Sequence, residues 1–212
     1  MKTDDFITAL SADDQAPGPA PGRAIALALL AGVIVAGVLF LAMLGPRPDA
    51  MQAMHTMRYD FKFVVSVILA ASAGVLIWRF ARPQAVSREA QLLLLAAPVL
   101  LAAAVLIELF VLPSAQWMPQ LMGHNSRKCM MFIPILAIVP LGALLYALRS
   151  GASFMPARTG AIAGLIAGGI GAAFYAMHCP DDSPLFVATW YTIAIAAVTA
   201  LGAFLGSRFL RW

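Results

Sequence analysis

The chain has 212 residues, of which 62% are hydrophobic and 11% charged, and its formal charge is +4. A soluble domain averages about 25% charged residues, so a chain this apolar needs lipid as part of its solvent. Its basic residues are spread through short connections and never cluster, which argues against direct nucleic-acid binding; its two cysteines exclude a disulfide-rich scaffold and leave one disulfide, one metal pair or two inert thiols.

Residues 1–14 read as a short amphipathic helix. Thr3 is placed to cap it, Asp4 and Asp5 sit at the positive end of its dipole, and Phe6, Ile7 and Leu10 fall on one face. Pro17, Gly18, Pro19, Pro21 and Gly22 then form a tether that cannot stay helical. An apolar stripe held off the membrane in this way wants a partner's groove; the alternative is a disordered tail with accidental periodicity. The division expected is a binding segment and tether over 1–22 and a membrane domain over 23–212.

Six apolar windows follow, near 24–44, 61–80, 91–112, 129–148, 159–178 and 185–206. Each is close to the 20 or so residues that cross a bilayer, and a spanning segment must satisfy its own backbone, so all six are expected as helices of an all-α, polytopic membrane protein. The first is too long for a cleaved signal peptide, and the segment before it is more acidic than basic. With the N-terminus inside, Lys2, Arg23, Arg79, Arg82, Arg88, Arg149, Arg158, Arg208 and Arg211 are cytoplasmic, and Arg47, Arg58, Lys62, Arg127 and Lys128 are outside. That bias favours both termini in the cytoplasm.

The first outer connection carries Met51, Met54 and His55, which suit either Cu(I) or a pliable interfacial helix. Glu108 is the one carboxylate well inside an apolar run, and such acids are either functional or reach the headgroups. Pro98, Pro134 and Pro140 are expected to bend their helices, and Trp117 to anchor an interface. Gly160, Gly164 and Gly168, with Gly202 and Gly206, allow close helix approach, within the bundle or across a dimer seam.

Spans four and five form a hairpin around residues 149–158, and Cys129 and Cys179 lie equally far from its middle. Both thiols are therefore expected at one depth on neighbouring helices, at the outer face with His55, His124 and His178. Helix axes about 8–10 Å apart permit a disulfide if the ends splay inward, and a soft metal held by two thiolates and an imidazole tolerates more. The metal set so expected is Cys129, Cys179, His178 and His124, with Cu, Cd or Zn as the ion; no obligatory cofactor and no catalytic residue is expected. Two buried, inert cysteines are the alternative.

The opening Met1-Lys2-Thr3-Asp4-Asp5-Phe6-Ile7-Thr8-Ala9-Leu10, the Gly45-Pro46-Arg47-Pro48 turn, the lone Cys129, the His178-Cys179-Pro180-Asp181-Asp182-Ser183 stretch with Trp190-Tyr191, and the final Arg208-Phe209-Leu210-Arg211-Trp212 resemble the NrsF family of bacterial inner-membrane anti-sigma factors. The resemblance covers essentially the whole chain. It implies a six-span protein whose cytoplasmic N-terminal segment, here Asp4, Asp5, Phe6, Ile7 and Leu10, holds an extracytoplasmic-function sigma factor inactive. It further implies two periplasmic cysteines that respond to metal stress, matching Cys129 and Cys179. The inducing metal and the oligomeric state do not carry over.

The combined expectation is a membrane-embedded sensor-regulator rather than an enzyme, with its input at the thiols and its output at the tail. Its main rival is a small metal or solute transporter, which would need polar residues near mid-bilayer in several spans. A disulfide-exchange enzyme would need a Cys-x-x-Cys pair, and a purely structural bundle leaves the outer Cys/His cluster unexplained.

Overall fold

The computed structural model describes residues 3, 7, 21–80, 88–149 and 155–210, and among these it is helical with no strand. Six helices are long and apolar enough to cross a membrane: Gly22–Met43, Met57–Arg79, Arg88–Val111, Ser126–Leu148, Pro156–Ala176 and Pro184–Phe209, called spans one to six. The expected all-α, six-span class is what forms. Spans two, three and four start earlier than the apolar windows because Met57–Asp60, Arg88–Ala90 and Ser126–Lys128 are helical despite their polarity. Hydrogen bonds within the helix satisfy the backbone whatever the side chains meet, so a helix runs on past the apolar limit.

Span five is the centre. In its apolar stretch 78% of residues are buried, against 11% in span three, and spans six, two and four all pack on it. Its glycines explain how three helices fit around one. A Cβ on Gly164 would lie 2.7 Å from the Thr199 backbone of span six, one on Gly169 3.0 Å from the Ala70 backbone of span two, and one on Gly171 2.6 Å from the Ile133 carbonyl of span four. Gly160 meets the Gly202 carbonyl just as closely. The glycine ladder thus serves internal packing, where missing side chains let backbones touch.

Span one lies mainly on span four, and span three touches span two and the start of span six. Span three is two helices, Arg88–Leu93 and Ala96–Val111, joined by a turn at Leu94 and Leu95. Pro98 accounts for the break: its ring clashes with the carbonyl four residues back, that of Leu94, and it brings no N–H. Pro134 and Pro140 are carried inside the unbroken helix Ser126–Leu148. Thr3 and Ile7 are helical and exposed; Asp4, Asp5, Phe6 and Leu10 lie outside the described residues, as does most of the tether.

Candidate functional site

The six-residue strap His178–Ser183 joins spans five and six, and it touches the near end of every other span. Nδ1 of His178 lies 3.0 Å from the Gly45 carbonyl past span one, and the Arg47 amide returns a bond to the Met177 carbonyl at 3.1 Å. Lys62 of span two donates from Nζ to the Cys179 carbonyl and, at 2.5 Å, pairs with Asp182. Arg47 bonds the Asp182 carboxylate at 2.9 and 3.2 Å and Asp49 at 2.6 Å. The bond to Asp49 holds the Arg47 guanidinium above its usual range and the Asp49 carboxyl below its own.

Asp181 faces the start of span four. It accepts from the amides of His124 and Asn125 at 3.1 and 2.9 Å and from Asn125 Nδ2 at 3.1 Å. Its position is fixed from below by Gly123, whose φ of 53° suits a residue without Cβ and whose Cβ would strike Phe186 and the Asp181 carboxylate. Ser183 Oγ and the Leu185 amide donate at 2.8 and 2.9 Å to Glu108 of span three, which also faces Arg58 at 3.3 Å. Glu108 therefore caps the first turn of span six, whose amides lack partners within the helix. The carboxylate does not reach out to headgroups: it is 4% exposed and turned to span six.

Beneath the strap lie both thiols. Cys129, in the first turn of span four, and Cys179 are each 0% exposed and are not joined by a disulfide. They share one cluster with Ile133, Tyr175, Ala176, Phe186, Val187 and Tyr191. Cys179 Sγ faces the Asp181 carbonyl at 3.9 Å. Burial pushes the Cys179 thiol up, with the Lys62 charge pulling it partly back, so at neutral pH it is held as the unreactive protonated form. After the α-helical residues Pro184–Phe186, span six continues in a π-helical turn, Val187–Tyr191, a register change frequent at functional sites. It seats Val187 and Tyr191 together in the thiol cluster and leaves the buried Tyr191 hydroxyl without a hydrogen-bond partner.

The structure brings Cys129 and Cys179 together and leaves the histidines apart. His178 is turned to Gly45, and the His124 ring is 95% exposed beside Asp181 at 3.6 Å. Among the described residues no three His, Cys, Asp or Glu side chains are gathered to hold a metal ion. Met51 and Met54 are exposed around the short helix Ala50–Ala53. Trp117 is partly exposed, with its indole on the Leu112 carbonyl at 3.1 Å. Lys62 was not foreseen as a site residue, yet it shares a helical face with Tyr59, Ser66, Ala73 and Ile77, all buried; that register was visible in the sequence.

Comparison with known proteins gives a consistent result. The family described as "NrsF: Negative regulator of sigma F" matches residues 10–212. The chain is 32% identical over 214 positions to the anti-sigma-F factor NrsF of Caulobacter vibrioides, covering all of both chains. It is also 32% identical over 216 positions, again over all of both, to the probable anti-sigma-F factor NrsF of Azospira oryzae. No solved structure matches. A six-span chain with this strap and thiol pair, matched along its whole length, belongs to the NrsF family of negative regulators of sigma F.

Proposed function

We propose that this protein is an anti-sigma factor of the bacterial inner membrane that holds an extracytoplasmic-function sigma factor through residues 1–22 and releases it when the Cys129–Cys179 pair is engaged from the periplasm. The observation that carries this reading is the burial of the only two cysteines in one cluster, under a strap bonded to the ends of all the other spans. Any chemistry that pulls the two sulfurs together or apart must move that strap, and with it the packing of spans one to four. The excess of basic residues at the opposite end supports a thiol end that faces the periplasm.

Two thiols with no third ligand gathered beside them among the described residues favour two kinds of signal: an oxidant that joins them as a disulfide, or a soft ion such as Cu(I) or Cd(II) that prefers sulfur. Zinc normally asks for four donors, so it fits the pair least well unless His178 and His124 swing in. The transporter reading is weakened at its best residue, because Oε2 of Glu108 caps span six and Oε1, without a hydrogen bond, faces Arg58 at 3.3 Å. Coupling of about 1–3 kcal/mol between thiols and tail is enough for a 5- to 150-fold change in sigma-factor affinity.

The test is a pull-down with residues 1–22 as bait, followed by the full chain in proteoliposomes with and without Cu, Cd or an oxidant. Capture of a sigma factor by the segment, and its loss from the full chain on exposure, is the expected result. A segment that captures none removes the tail from the reading; thiols that label freely only from the cytoplasmic side remove the input site.

A further inference from the structure

Lys62 is a lysine with 0% of its surface exposed, six residues into a membrane span. An ammonium is left in such a place only if its charge and protons are matched, and ionisable groups buried within spans are rarely incidental. Its ammonium finds two acceptors, the Cys179 carbonyl and the Asp182 carboxylate at 2.5 Å, and its charge lies 5.4 Å from the Tyr59 ring centroid. Arg47 takes the other Asp182 oxygen at 2.9 Å and Asp49 at 2.6 Å, so two cations and two carboxylates balance within the group. Lys62 is the one member that bonds both the strap backbone at a cysteine and the strap side chain three residues on.

From this geometry we infer that Lys62 is a positioning residue that locks the Cys179–Asp182 strap over the thiol pair, so that access to Cys179 is controlled from span two. The inference rests on the pair being the input site, but it concerns access to the thiol and is tested on access alone. Span two packs along the central span five, and Gly169 of span five meets the Ala70 backbone of span two. A strap that lifts away from Lys62 therefore frees the outer end of a helix whose remaining length stays seated against the core. Arg47 alone cannot replace the lock: it reaches Asp182 but makes no bond to Cys179. Without Lys62 the Cys179 carbonyl is a buried acceptor with no donor, a state that strongly favours opening to water.

The experiment uses the full-length protein in proteoliposomes, in a Cys129→Ser background, with a membrane-impermeant maleimide added at the thiol side. Lys62→Met, close in length but without charge, is expected to raise the rate of Cys179 labelling at least tenfold. Asp182→Asn is expected to raise it similarly, and the double variant to exceed neither single by a further tenfold, since all three release one lock. A reporter distinguishes a lifted strap from general unfolding: Leu144→Cys, in a chain without the native cysteines, sits at a fully buried position of span four and should stay unlabelled in the Lys62→Met protein. Labelling of Cys179 at the parental rate in Lys62→Met overturns the inference. So does a parallel rise at Cys179 and at the Leu144→Cys reporter. Should Lys62→Met not accumulate, Asp182→Asn decides by the same two measurements.

Discussion

Replacing Glu108 separates capping from transport. The carboxylate accepts from Ser183 Oγ and the Leu185 amide, and it pairs with an Arg58 that is half exposed. Hydrogen bonds to a charged acceptor are worth about 1.5–3 kcal/mol each and to a neutral one about 0.5–1.5; the Arg58 pair, open to solvent, adds at most about 1 kcal/mol. Glu108→Gln keeps one oxygen for the span-six cap and should lose about 2 kcal/mol. Glu108→Ala removes both bonds and leaves the Leu185 amide buried without an acceptor, for a loss of about 3–6 kcal/mol. Thermal unfolding in detergent, followed by Cys179 labelling, should rank parent, Gln and Ala in that order, with the Gln protein still repressing its sigma factor. A Gln variant as stable as the parent but wholly inactive would refute the capping argument and return Glu108 to a transport role.

Three further outcomes follow from the same geometry. Phe6→Ala with Leu10→Ala should weaken sigma-factor binding about a hundredfold or more, since each buried apolar side chain is worth roughly 1.5–3 kcal/mol; titration of the purified partner reads it, and the membrane domain should unfold at its usual temperature. Cys129→Ser and Cys179→Ser should give one phenotype in a sigma-dependent reporter under Cd or oxidant, with the double variant no worse than either. Gly164→Leu would drive a side chain into the Thr199 and Val198 backbones of span six, at 2.7 and 2.8 Å, and should cost about 1–3 kcal/mol or more as spans five and six part. A Cβ on Gly74 or Gly142 meets nothing within 4 Å, so Gly74→Ala and Gly142→Ala should not lower the thermal midpoint.

The spans were legible because lipid imposes a length and an apolar composition that few other environments share. Cys129 and Cys179 could be matched by counting outward from the middle of residues 149–158, since apolar windows of equal length should end level. Proline was legible only as a place to bend: Pro98 goes further and breaks span three at Leu94 and Leu95, while Pro134 and Pro140 sit inside one continuous helix. What could not be read is what depends on partners far along the chain. Glu108 caps span six through Ser183, 75 residues away, and Asp181 anchors the turn at Asn125, 56 residues away. His178 looked like a ligand because it adjoins Cys179, yet successive residues of a chain point to different sides, and its ring turns to Gly45. Lys62 was counted only as one more basic residue for topology, although its register put it among buried neighbours.

Cys129 and Cys179, the second a residue of the strap itself, are both 0% exposed, so a solute can meet either sulfur only in the fraction of molecules whose strap has lifted. With the pair as the proposed input, the concentration that triggers release is the intrinsic affinity of the sulfurs divided by that open fraction. Every 1.4 kcal/mol of closing free energy then raises the trigger dose about tenfold. On the proposed function, sensitivity is set by residues that never contact the stimulus, among them Lys62, Arg47 and Asp181, and substitutions in that lock would retune it without touching either sulfur.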